Sequence, residues 1–239
     1  MNAAAGRRLL AEFTGTALLV AVVVGSGIAA TRLTADGALR LLVNSVVTAL
    51  GLAVLVVVFI QASGAHFNPV VTAADWLLGR RTPRRYSLGL AAAVMACQVA
   101  GAIGGAALAD AMFAEPVLSP SHHHRGGAGI LLSEVVATAG LVVVIVALVR
   151  TGRVQHMAWA VGAWIGAAYW FTASTAFANP AVTIGRTLTG TYAGIAPASA
   201  PAFIAAQLAG GAIGTLLALT LYPARPRPVR AGEPARLAR

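Results

Sequence analysis

Five uncharged windows constrain this chain more than any other feature. Residues 13–31, 41–74, 86–109, 154–185 and 187–224, of 19, 34, 24, 32 and 38 residues, contain no Asp, Glu, Lys or Arg. Each is long enough for a helical span of about 20 residues, the length that crosses a bilayer core. Apolar residues make up 58% of the 239 residues and charged ones 10%, where an ordinary soluble domain has about 25% charge. With no water to satisfy backbone groups in hydrocarbon, windows of this length imply an all-α membrane protein.

Spans are expected near Leu9 to Ala30, Leu39 to Ile60, Ser87 to Leu108, Ala128 to Val149, His156 to Thr175 and Pro201 to Tyr222. Arg7 and Arg8 precede a run too long for a signal peptide, which reads as the first span. An even number of spans puts both termini on one side. With the termini cytoplasmic, Arg7, Arg8, Arg80, Arg81, Arg84, Arg85, Arg150, Arg153 and the five tail arginines lie inside, against Arg32, Arg40, Arg125 and Arg186 outside; the positive-inside rule selects that orientation in a plasma membrane. The net charge of +10 is thereby assigned to topology and anionic headgroups, and nucleic acid is not an expected partner. Residues 223–239, with four prolines and five arginines, read as a disordered basic cytoplasmic tail. Cys97, the lone cysteine, supports neither an intrachain disulfide nor a thiolate metal site, and no metal or cofactor is expected.

Two windows hold more than one span. "QASGAHFNPVVTAADWLLG" from Gln61 and "TASTAFANPAVTIG" from Thr172 each contain Asn-Pro followed by an apolar stretch of about ten residues. That is too short to cross but suits a re-entrant half-helix with Pro at its first position. The loops before such half-helices are tolerable at membrane depth only when packed in protein or lining a wet cavity, which points to a channel or transporter.

The pattern occurs twice. Glu12 and Glu134 lie 122 residues apart, Asn68 and Asn179 111, and Gln98 and Gln207 109. Residues 1–222 therefore divide into repeats of about 8–108 and 128–222, three spans and one half-helix each. Three is odd, so the second copy is inverted, and the half-helices should meet at the midplane with Asn68 and Asn179 facing one another.

Paired Asn-Pro half-helices with matched Glu-bearing spans resemble the aquaporin family of major intrinsic proteins, over roughly residues 8 to 222. The segment "FANPAVTIGRTLTGTYAGIAPASAPAF" most closely resembles an arsenic-associated bacterial branch of aquaglyceroporins. The resemblance implies an aquaporin-like inverted repeat of six transmembrane helices and two half-helices, assembled as a homotetramer with one pore per protomer. It also implies that Glu12 and Glu134 accept hydrogen bonds from the loops entering the half-helices; the alternative places them at span ends. His66 either anchors the first loop or lines the cytoplasmic pore.

Helix N-termini present unpaired N–H groups and about half a positive charge each, so two facing termini repel cations while the Asn amides offer donors to a neutral solute. By family spacing, the outer selectivity constriction falls on Thr48, Ala167, Ala176 and Val182. Most relatives have Arg where this chain has Val182, and neither the aromatic nor the His of water-selective members is expected. Arg186, one turn later, is either an outer-mouth charge or a loop Arg closing the half-helix. Val70 also replaces the family's usual Ala. His122, His123 and His124 read as a solvated external run.

The expected function is passive passage of small uncharged solutes, glycerol-like polyols and arsenous acid, with methylated arsenicals and water, and lipids as the remaining partners. Alternatives are a water-selective aquaporin and an inverted-repeat secondary transporter. No nucleophile and base pair or phosphate loop supports an enzyme.

Overall fold

The computed structural model describes residues 3–79 and 87–223. Arg80, Arg81, Arg84, Arg85 and residues 224–239, on which much of the charge-sidedness expectation rests, lie outside the described residues. Those described form eight α-helices and no strand: α1 (Ala3–Leu33), α2 (Gly37–Ser63), α3 (Pro69–Gly79), α4 (Leu88–Met112), α5 (Ala128–Arg150), α6 (Met157–Phe171), α7 (Pro180–Arg186) and α8 (Ala200–Leu221).

Helices α1, α2, α4, α5 and α8 are long and apolar enough to cross a membrane. At 1.5 Å per residue the shortest, α8 with 22 residues, spans about 33 Å against a core of about 30 Å. Local chemistry sets their ends. Asp36 caps α2 by accepting from the Leu39 N–H at 2.7 Å, and Ser87 caps α4 by accepting from the Leu90 N–H at 3.1 Å. Gly64, at φ 97°, stops α2 in the left-handed conformation that costs glycine nothing. Exposed Leu50, Val54, Val57 and Val58 on α2, and Leu208, Ile213 and Leu216 on α8, form outward faces suited to lipid.

The fifth span is shorter than its sequence expectation. Helix α6 has 15 residues after a 3-10 turn at Val154–His156, and ends at Phe171 instead of continuing to Thr175. Thr172 turns extended, and Thr175 and Ala176 adopt φ of 59° and 48°, because these residues descend as the loop that enters α7. Helices α3 and α7, of 11 and 7 residues, are about 16 and 10 Å long and cannot cross. Helix α7 is thus shorter than the stretch of about ten residues expected.

The two halves pack alike, α1 on α4 and α5 on α8. A Cβ on Gly101 or Gly105 would collide with the carbonyl oxygens of Phe13 and Ala17, and one on Gly210 or Gly214 with those of Val135 and Ala139. These four glycines let the helix backbones touch. Gly104 is not at the crossing; its nearest neighbour is the Phe13 ring at 3.9 Å. Gly211 faces Val70 of α3 instead.

Candidate functional site

The residues before each half-helix adopt left-handed backbone at alternate positions: Ala65 and Phe67 at φ 51° and 49°, Ala176 and Ala178 both at 48°. Such alternation turns successive N–H groups toward one point, where an anion satisfies them. Glu12 does so in the first half, accepting from the His66 and Phe67 N–H groups at 3.0 and 2.8 Å and from Gln98 Nε2 at 2.7 Å. Glu134 repeats this for Phe177 and Ala178, each at 2.9 Å, and Gln207 Nε2 at 2.6 Å. Gln98 and Gln207 also reach Thr72 and Thr183, each at 2.9 Å, on the half-helices. All four side chains are fully buried, so every acceptor used here offsets a desolvation cost.

The half-helices then lock to each other. Asn68 Oδ1 caps α3 by accepting from the Val70 N–H at 2.9 Å, and Asn179 Oδ1 caps α7 by accepting from Ala181 and Val182 at 3.0 and 3.3 Å. Asn68 Nδ2 donates to the Ala178 carbonyl at 2.8 Å, and Asn179 Nδ2 to the Phe67 carbonyl at 2.7 Å. An amide nitrogen carries two hydrogens. Each Asn spends one on the opposite loop, and both side chains border a cavity of about 640 Å³.

That cavity passes both half-helix termini. Near the face holding both ends of the described chain it is bordered by Arg8, Asp75, Gly79 and Arg150. His66 donates its backbone N–H to Glu12, places Nδ1 3.1 Å from Thr72 Oγ1 and Nε2 3.7 Å from Asp75 Oδ2, and borders the cavity as well. Both alternatives for His66, anchor and lining, describe its placement. Arg8 stands 3.9 Å from Asp75 on the same rim. Midway the wall is apolar, with Leu19, Val23, Leu52, Val56, Val142 and Ile165.

Toward the opposite face Thr48, Ala176, Val182 and Arg186 border the cavity, but Ala167 does not. Ala167 is exposed on the outer side of α6, and the expectation that it lines the constriction is corrected. The inward stripe of α6 is Met157, Val161, Ile165 and Tyr169, spaced four residues apart, so Tyr169 occupies that level. Its hydroxyl lies 3.2 Å from Thr48 Oγ1, and the expected absence of an aromatic side chain is corrected too.

Arg186 turns back from the end of α7. It is 2% exposed, its Nε donates to the Ala193 carbonyl, and its guanidinium carbon lies 3.4 Å from the Phe177 ring centroid. Both Arg186 and Phe177 border the cavity, so Arg186 is not merely a loop residue closing the half-helix. Arg125, which no motif singled out, sits 5.3 Å from the same ring centroid. Burial lowers its pKa, yet an Arg starts so high that it stays charged. No sequence signal marked Tyr169, Phe177 or Arg125, whose places depend on contacts far along the chain.

The His122, His123 and His124 side chains are exposed, as expected of a solvated run. Their backbone is nonetheless fastened: the Ala196 N–H donates to the His123 carbonyl at 2.8 Å, and the Ser121 N–H to the Thr187 carbonyl at 2.9 Å.

Apolar spanning helices, two half-helices tied tip to tip, and a cavity threading past both tips define a membrane channel for small solutes. The chain belongs to the major intrinsic protein family, whose model matches residues 2–156 and whose aquaglyceroporins are channels and not enzymes. It is 50% identical over 221 residues to the aquaglyceroporin AqpS of Rhizobium meliloti (strain 1021), covering 92% of each chain. It is 32% identical over 167 residues to the glycerol uptake facilitator protein of Pseudomonas aeruginosa, covering 60% of this chain and 57% of that one. Among solved structures it resembles the aquaglyceroporin from Plasmodium falciparum with a TM-score of 0.66, at 16% identity, over 91% of this chain and 95% of that one; this likeness concerns the fold.

Proposed function

We propose that the chain conducts glycerol-like polyols, arsenous acid and water passively through its own protomer. The observation that carries this is the composition of the cavity: a largely apolar wall, interrupted by the two Asn amides and by polar side chains such as Thr48, Ser63, His66 and Tyr169. A neutral solute exchanges water for the second N–H of Asn68 and Asn179 and, further out, for Thr48 and the Tyr169 hydroxyl. An ion would lose its hydration shell without equal return and would also meet the positive ends of α3 and α7.

The proposed constriction is Thr48, Tyr169, Ala176 and Val182, with Arg186 as the outer charge. Tyr169 adds an aromatic surface for a carbon backbone, and Val182 leaves the space an Arg would occupy, which favours polyols over a water-only pore. Arsenous acid is small, neutral at physiological pH and as rich in hydroxyls as glycerol. Glu12 and Glu134 serve as loop supports, which leaves no spare buried carboxylate at the half-helices to couple ions as a transporter would. The excess of Arg on the terminal side supports cytoplasmic termini in a bacterial inner membrane, and the resemblance to the family supports a homotetramer.

Stopped-flow uptake in reconstituted liposomes, with water, glycerol and arsenous acid in parallel against empty liposomes, tests the reading. All three fluxes should exceed bare lipid and follow the gradient without saturating. Rapid water flux with arsenous acid no faster than through bare lipid would leave a water-selective pore.

A further inference from the structure

We propose that Arg125, in the segment between α4 and α5, is a second specificity-determining residue of this channel, joining Arg186 in a paired cationic barrier that turns cations away at the outer end of the cavity. The proposal rests on the channel reading above and adds a residue that no motif in the sequence marks.

Three neighbouring carbonyls hold the two guanidinium groups. Arg125 Nε donates to Gly194 at 3.0 Å and Nη2 to Tyr192 at 3.4 Å, while Arg186 Nε donates to Ala193 between them. The backbone N–H of Arg125 is itself fixed, donating to Ser199 Oγ at 3.1 Å. Both guanidinium carbons converge on Phe177, 5.3 and 3.4 Å from its ring centroid, and Phe177 borders the cavity.

Glu115 pairs with Arg32 at 2.7 Å, Asp36 caps α2, and Asp110 accepts from Thr189 at 2.8 Å through Oδ1, while its buried Oδ2 has no hydrogen-bond partner among the described residues. Glu134 gives both oxygens to loop N–H groups and Gln207. Among the described residues neither Arg125 nor Arg186 has a carboxylate within 4.0 Å. Two like charges gathered on one ring repel each other, a cost that a purely structural tether would avoid with Gln. With Arg186 buried and Arg125 half-buried, both are weakly screened, and their field reaches into the cavity beside uncharged Val182.

The test uses the full chain in planar bilayers and liposomes, reading the ratio of sodium permeability to glycerol permeability on one preparation. Arg125→Gln should raise that ratio about tenfold, the order a unit charge contributes at a separation of about 10 Å and an effective dielectric constant near 20. Arg125→Lys, which keeps the charge but loses the forked carbonyl bonds, should return it to within about twofold of the wild type. An unchanged ratio in Arg125→Gln overturns the proposal, and so does an equal rise in Arg125→Lys, which would make Arg125 a loop tether. Should Arg125→Gln fail to insert, Arg125→Cys in a Cys97→Ser background isolates the charge: an ammonium-bearing thiol adduct should lower the ratio about tenfold relative to a neutral adduct, and equal ratios overturn the proposal. Wild-type glycerol flux no faster than through bare lipid would instead refute the channel reading, independently of how Arg125 behaves.

Discussion

Replacing Glu134 with Ala gives the most direct measure of what holds the second half-helix in place. The truncation removes the acceptor for three buried donors, the N–H groups of Phe177 and Ala178 and the Gln207 amide. Each orphaned donor costs about 1–3 kcal/mol, so roughly 6 kcal/mol in the middle of the range. Removing a carboxylate from membrane depth returns about 3 kcal/mol on insertion scales. The orphaned donors win, and a net loss of about 3 kcal/mol is expected. Glu134→Gln should fall between: its carbonyl oxygen can keep the Ala178 and Gln207 bonds, leaving only the Phe177 N–H facing an NH₂ group. The damage should also reach the first half, because Asn68 donates to the carbonyl of Ala178, whose own N–H is released. Thermal unfolding in detergent and glycerol flux in liposomes should therefore both rank wild type above Gln above Ala, with Ala losing most of its flux. An Ala variant as stable and as conductive as the wild type would refute the assignment of Glu134 as the anchor of this loop.

Two further perturbations address the pore itself. Val182→Arg should lower glycerol and arsenous acid flux about tenfold or more, since it fills the space beside Thr48 and Tyr169 and places a second guanidinium one turn from Arg186, where like charges are unfavourable; stopped-flow assays on both solutes check it. Asn179→Asp keeps the cap acceptor but swaps the amide that donates to the Phe67 carbonyl for a negative charge, and should raise cation conductance in planar bilayers severalfold, an ion-tight variant counting against the electrostatic account.

Much of this molecule was determined by the sequence alone, because the constraints involved are local or set by the bilayer. Uncharged windows of span length, Asn-Pro pairs that start short helices, and Glu and Gln recurring at matched offsets are each legible without knowing what touches what. They were enough to place the half-helices and the two Asn residues, while the choice between loop support and span ends for the two carboxylates stayed open until the loops were seen to close on them. The tertiary structure decided what depends on azimuth and on distant partners. Helix α6, MAWAVGAWIGAAYWF, is apolar on every face, so nothing in its pattern distinguishes the side toward lipid from the side toward the cavity; only packing against α2 and α5 turns Tyr169 inward and Ala167 out. Arg186 is a long side chain at the end of α7 and Arg125 one on irregular backbone, and their ends are placed by carbonyls at residues 192–194. Those carbonyls reach Arg125 only because the chain folds back across some 70 residues, a closure that hydrophobic periodicity does not record.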